Sequence, residues 1–220
     1  MHRPHVIINC AMSADGKIAL PNRNQVRISC DEDIKRMYML RNQCDAVLVG
    51  IGTVLSDDPK LTVKQSYVKN PQQPVRIVLD SNGRTPPDAL VLNEAAKTII
   101  ITSEANQKKS NKKHIEFIGC PTDTQGYLDI HYILHLLYQK GIKTLLVEGG
   151  STVIWNFIKN NVVDEIFVYI GPYIIGGKET PTMADGSGID NENDLFSLHI
   201  EKVQRLNEGI LIHYKALVKK

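Results

Sequence analysis

The chain has 220 residues, with 26 Lys and Arg against 24 Asp and Glu, a formal charge of +2. So even a balance argues against a basic nucleic-acid footprint and against an acidic, solvating tail. An apolar fraction of 42% and 10 prolines are ordinary for a globular protein, and the length suits a single domain over 1–220 with one core.

The charge-free stretch from Ile166 to Gly177 is 12 residues long and holds Gly171, Pro172, Gly176 and Gly177, well short of the roughly 20 apolar residues a spanning helix needs. The N-terminus meets Asp15 before any apolar signal region develops. The expectation is a cytoplasmic protein that engages no membrane. Cys10, Cys30, Cys44 and Cys120 include no C-x-x-C pair, and His131 and His135 lack the glutamate of the metalloprotease pattern. No metal is expected, and the thiols are expected reduced.

In chain order, strands alternate with helices. His5 to Met12 is a short apolar run that suits a buried strand. A helix is expected over Asp31 to Gln43, with Ile34, Met37 and Leu40 as its apolar stripe and Ser29 with Glu32 as a capping box. Ala46 to Gly52 is uncharged and β-rich, the pattern of a central strand, and Val75–Leu79 and Lys97–Thr102 repeat it. Ile130, Ile133, Leu134 and Leu137 fall at i, i+3, i+4 and i+7, an amphipathic helix stopped at Gly141. Lys143–Val147 reads as a strand, followed by Glu148-Gly149-Gly150-Ser151-Thr152 and a helix to about Lys159. Glu165–Ile170 is a further strand, and the tail around Asn207-Glu208-Gly209 reads as an antiparallel hairpin. This alternation predicts an α/β fold with a mainly parallel central sheet flanked by helices. The basic run Lys108 to Lys113 is expected to be a solvated loop.

In open α/β sheets, ligands bind at the carboxyl ends of strands, and three such ends are rich in turn and anion-binding residues. Gly50-Ile51-Gly52 fails the G-x-G-x-x-G fingerprint, because Leu55 holds the sixth position. Gly149 and Gly150 would let backbone approach a phosphate at the start of the next helix; an N-capped helix with no ligand is the plainer alternative. Asp80-Ser81-Asn82-Gly83-Arg84 is a turn carrying a hydroxyl and a guanidinium. Glu148, ending an apolar strand, is either a partly desolvated carboxylate suited to proton traffic or one that accepts from nearby N–H groups. Together these ends suggest a nucleotide or dinucleotide, without naming a reaction.

Met12–Ala19, Arg27–Ser29, Val49–Thr62, Pro74–Ser81, Leu146–Thr152 and Gly176–Thr182, in this order, resemble the reductases of riboflavin biosynthesis, most closely their stand-alone archaeal and fungal form. The resemblance implies a dihydrofolate-reductase-like fold, a homodimer, and NADPH as hydride donor with NADH as the alternative. The implied reaction reduces the ribosylamino side chain of a diaminopyrimidinone 5′-phosphate to the ribitylamino form. The deaminated uracil analogue, a pterin or a folate are alternative substrates.

By the same resemblance Thr53, Asp57, Asp80, Ser81 and the Gly149, Gly150, Ser151, Thr152 loop contact the cofactor, and Gln25, Arg41, Leu61, Lys64 and Glu148 the substrate. Lys17 and Glu148 would lie nearest the reacting centre, as electrostatic partner and proton relay. Arg84 adds a candidate for the 2′-phosphate that separates NADPH from NADH. Two positions depart from the bacterial pattern: Lys64 replaces an arginine, turning a bidentate grip into a point charge, and Arg27 replaces a tryptophan. Without the resemblance, Arg41 is a solvated helix residue, Lys17 a surface lysine after the Asp15-Gly16 turn, and Asp57 and Asp58 turn residues.

Overall fold

The computed structural model describes residues 2–217. In chain order the main elements are β1 (His5–Ser13), α1 (Asp31–Gln43), β2 (Ala46–Gly50), α2 (Ile51–Asp57), β3 (Val75–Leu79), β4 (Thr98–Ser103) and β5 (Ile115–Cys120). They continue with α3 (Ile130–Gln139), β6 (Thr144–Val147), α4 (Ser151–Lys159), β7 (Glu165–Gly171), β8 (Leu198–Leu206) and β9 (Gly209–Ala216). The chain divides into two compact units. One holds Tyr38–Leu146 with the first few residues, the other Val6–Met37 with the residues from Val147 onward.

In the first unit the strands lie in the order β5-β4-β3-β2-β6, and the β2–β3, β3–β4 and β4–β5 pairs are parallel. Every residue of β2 is buried, as are four of the five of β3, which is why these segments read as unbroken apolar runs rather than as alternation. The run that continues past Gly50 is misleading as sequence. The strand ends there, and α2 follows at once with Ile51 and Val54 as its buried residues. Their spacing of three is helical, so Gly52 lies in a helix and not in a strand. β5 carries no legible signal because only its two ends, Ile115 and Cys120, are buried. In α3, Asp129 accepts from Tyr132 N at 3.0 Å as N-cap, Ile130, Ile133, Leu134 and Leu137 are buried, and Gly141 takes φ +89° just past its end.

At the centre of this unit Arg76 on β3 is 0% exposed. Its guanidinium donates to Thr98 Oγ1 at 2.9 Å, Asn93 Oδ1 at 2.8 Å, Asn93 O at 2.5 Å, Ala96 O at 2.6 Å and Lys60 O at 3.4 Å. All five acceptors are neutral oxygens, so burial pushes its pKa down to about 10.

In the second unit the order is β1-β7-β9-β8. β1 and β7 are parallel, while β7–β9 and β9–β8 are antiparallel, giving the C-terminal hairpin. Asn207 turns the hairpin at φ +49°, a conformation that asparagine tolerates better than most residues. Beside it the Tyr169 ring packs so closely that Gly209 has no room for a Cβ. Ile28, Tyr169, Leu206 and Leu211 form a buried cluster here. α1 begins with Asp31, Glu32 and Asp33, matching the positive end of the helix dipole. The capping box is corrected: Ser29 Oγ donates to the buried Asp33 Oδ2 at 2.6 Å, one position past Glu32. The architecture is thus α/β and mostly parallel with an antiparallel C-terminal hairpin.

Candidate active site

Lys17 in the second unit is held by a dense set of contacts. β1 ends at the fully buried Ser13, whose Oγ accepts from Lys17 N at 2.9 Å and donates to Asp15 Oδ1 at 2.6 Å. Ser13 N donates to Lys17 O at 2.8 Å, closing a tight turn in which Gly16 takes φ +81°. Lys17 forms an isolated antiparallel bridge with Thr182, and its Nζ donates to Thr180 O at 3.1 Å. Asp185 accepts from Thr182 N at 3.1 Å and from Thr182 Oγ1 at 2.5 Å. Burial raises the pKa of the Asp185 carboxyl, but hydrogen bonds from Thr182 and Ser151 and the charge of Lys17 outweigh it, so the group sits below its ordinary range. Asp185 therefore joins the strand-like segment that carries Lys17 to the first residue of α4.

Asp15 ties the same turn to the Ile175-Gly176 segment, accepting from Ile175 N at 3.1 Å and Gly176 N at 2.7 Å. The bond from Ser13 and these N–H groups bring its pKa down to about 2. A depressed carboxyl stabilises the folded state above its unfolded pKa, and that contribution disappears as pH falls through the folded value. Asp15→Asn is therefore expected to lower the thermal midpoint at pH 6 and to narrow its difference from the parent as pH falls from about 4 to 2. Differential scanning calorimetry across that range checks it, and a constant difference would count against the linkage.

β6 delivers a second group. After Val147 comes the half-buried Glu148, then Gly149 at φ +118° with nothing within 4 Å of where a Cβ would stand. A cis peptide joins Gly149 to Gly150, and Gly150 is the N-cap of α4 without any side-chain cap bond. Open space over a glycine beside an uncapped helix start suits a phosphate, which backbone N–H groups and the helix dipole both favour. These residues fit a dinucleotide's pyrophosphate. Ser151 is half-buried and Thr152 exposed. Also in this unit, Gln25 is exposed, and Arg27 is an exposed residue paired with Asp31.

The first unit gathers the two predicted phosphate-binding cations. Arg41 Cζ lies 5.4 Å and Lys64 Nζ 5.5 Å from the centroid of the Tyr38 ring, and Arg41 also donates to Thr62 O at 3.1 Å. Between these cations in sequence, Leu61 is 2% exposed at φ +50°, an uncommon conformation for a leucine. The loop around it is fixed from several sides: Asp58 Oδ1 accepts from Leu90 N at 2.7 Å, Arg76 reaches Lys60 O, and Gln73 bonds both Val63 N at 2.8 Å and Val63 O at 2.9 Å. Thr53 is a half-buried residue inside α2, and Asp57 is its last residue.

At the end of β3, Asp80 is fully buried, and its Oδ2 accepts from both Thr85 N and Thr85 Oγ1 at 2.7 Å. It shapes the turn from inside, while Ser81 is half-buried and Arg84 exposed. The solvated basic loop proves to touch this turn, because Lys108 Nζ donates to Gly83 O at 2.9 Å. Tyr38, Tyr67 and Asp185 are not among the residues the sequence singles out, and Thr180 enters only as part of the Gly176–Thr182 block, with no role assigned to it. Tyr38 stands three residues before Arg41, a spacing that places both on one helix face; the others carry no comparable local signal. Among the described residues no cluster of His, Cys, Asp or Glu could hold a metal ion, and no helix is long and apolar enough to cross a membrane.

The glycine cradle at one strand end and the firmly held lysine at another fit a nucleotide-binding enzyme, and the chain's relatives place it among the oxidoreductases. Its relatives make the class specific. The chain belongs to the RibD C-terminal domain family, whose model matches residues 4–212. It is 39% identical to the 2,5-diamino-6-ribosylamino-4(3H)-pyrimidinone 5′-phosphate reductase of Archaeoglobus fulgidus, over 96% of this chain and 97% of the relative. It is 40% identical to the protein of that name in Methanothermobacter thermautotrophicus, over 96% and 98% of the two chains. Among solved structures, the diaminohydroxyphosphoribosylaminopyrimidine deaminase/5-amino-6-(5-phosphoribosylamino)uracil reductase of Thermotoga maritima superposes with a TM-score of 0.81 at 29% identity, covering 98% of this chain and 57% of that one. Dihydrofolate reductase of Enterococcus faecalis, at 11% identity and a TM-score of 0.54 over 96% of both chains, shares the fold.

Proposed function

We propose that the chain reduces 2,5-diamino-6-ribosylamino-4(3H)-pyrimidinone 5′-phosphate to its ribitylamino form with NADPH. The observation that carries this reading is the end-to-end match to reductases named for that substrate. Once its furanose has opened to an imine, the substrate needs a hydride at C1′ and a proton at the adjoining nitrogen. Bound NADPH would supply the hydride.

The protein's part is binding, orientation and charge. The uncapped start of α4 and the bare Gly149 would receive the pyrophosphate. Arg41 and Lys64, gathered on one ring, would take the 5′-phosphate. Lys17, fixed through Ser13, Thr180 and Thr182, would place its ammonium at the reacting centre as electrostatic partner, with Glu148 relaying the proton. Arg84 would favour the 2′-phosphate of NADPH over the hydroxyl of NADH.

The deaminated uracil analogue is a second reading, supported by the uracil reductase activity for which the Thermotoga maritima protein is named. Loss of reduced-nicotinamide absorbance with the diaminopyrimidinone, the uracil analogue and dihydrofolate in parallel separates these readings. Turnover of the diaminopyrimidinone alone is expected. Turnover of the uracil analogue or dihydrofolate in its place would refute the assignment.

A further inference from the structure

We propose that Tyr67 is a positioning residue for recognition of a phosphate monoester. It stacks on Tyr38 and so fixes the ring beside which Arg41 and Lys64 both lie. The inference rests on the phosphate-clamp part of the proposed function and goes beyond it by assigning the aromatic pair that sets the clamp's geometry.

Tyr38 is 8% exposed, so packing holds its ring. The Tyr67 ring lies 4.6 Å from it with planes 12° apart, an offset-stack distance that contributes beyond simple burial. The loop is folded to make this stack. Lys64 O accepts from Tyr67 N at 3.1 Å and from Val68 N at 3.2 Å, a turn that carries residue 67 back over the helix bearing Tyr38.

The two cations reach the ring in different ways. Arg41 follows Tyr38 by three residues on α1, and its guanidinium is steadied by Thr62 O. Lys64 stands on an exposed loop position at the end of a flexible four-carbon stem. Fixing such a side chain costs much of its rotamer freedom. A cation held over a ring is already partly ordered before an anion arrives. The aromatic pair therefore compensates for a lysine at a position where a rigid, bidentate arginine would need less help. Tyr67 contributes through the placement of Lys64 and Tyr38, and its hydroxyl has no part in this role.

Calorimetric titration with ribose 5-phosphate and with ribose tests the clamp without turnover, and steady-state kinetics with the phosphorylated substrate adds a second readout. Tyr67→Ala is expected to weaken ribose 5-phosphate binding about tenfold. It should raise KM for the phosphorylated substrate by a similar factor with kcat little changed, and Tyr67→Phe should restore both. In a Lys64→Ala background the alanine change at 67 should have a clearly smaller further effect, limited to the ring beside Arg41, an outcome that general destabilisation of the loop would not give. Equal effects of Tyr67→Ala in both backgrounds, a Tyr67→Phe variant as weak as Tyr67→Ala, or wild-type affinity in Tyr67→Ala would each overturn the proposal. If none of the pyrimidines turns over but ribose 5-phosphate binds and shows this pattern, the proposal stands and only the substrate assignment falls.

Discussion

Lys17→Met is expected to lower kcat by about 10²–10⁴-fold, the range typical for loss of a positioned acid or charge at a reacting centre. The expected loss is catalytic because the backbone contacts that shape the turn do not involve the ammonium. Lys17 N still donates to Ser13 Oγ, Lys17 O still accepts from Ser13 N, and the bridge to Thr182 remains. Methionine keeps most of the apolar stem and loses the charge and the bond to Thr180 O. Single-turnover kinetics with a thermal melt as control checks this. A variant with normal turnover would mean that Lys17 only secures the Thr180 segment.

The second large effect is on stability. Arg76→Met is expected to destabilise the fold by about 3–5 kcal/mol, because several buried acceptors lose their donor at once. The methionine fills much of the volume but leaves Asn93 O, Ala96 O and the Asn93 side chain without the guanidinium. Urea unfolding measures the change. A loss under about 1 kcal/mol would show that the loops around Asn93 and Ala96 re-form their bonds with water or with each other. Because Arg76 also reaches Lys60 O next to Leu61, the variant that remains folded is expected to raise KM for the phosphorylated substrate as well.

Much of the scaffold is legible in the sequence because burial on both faces leaves a plain mark. β3 matches its apolar run end to end, and α1 and the hairpin fall where their periodicity and turn residues place them. The failures have physical causes. The run Ala46–Gly52 conceals a strand-to-helix switch because a buried helix start and a buried strand are equally apolar. β5 escapes notice because half-exposed positions in its middle give no clean alternation.

The site divides in the same way. Local spacing can point to the Gly149-Gly150 pair, since strand-end turns are short-range features, whereas Arg41 reads by position as a solvated helix residue and is singled out only by the resemblance. The resemblance points to Lys17, but the contacts that hold it, Thr180 and Asp185, lie over 160 residues away in sequence and could only be found in three dimensions. Tyr67 is similar on a smaller scale: nothing in its neighbourhood announces that a turn at Lys64 carries its ring back to Tyr38.

Hydride transfer to the substrate's side chain is tested by supplying NADPH carrying deuterium at both C4 positions of the nicotinamide and analysing the product by mass spectrometry and proton NMR. Hydride delivery to the ring-opened side chain predicts one deuterium per product molecule, located at C1′ of the ribityl group. Cofactor oxidation with an unlabelled product, or with the label in the pyrimidine ring, would contradict it.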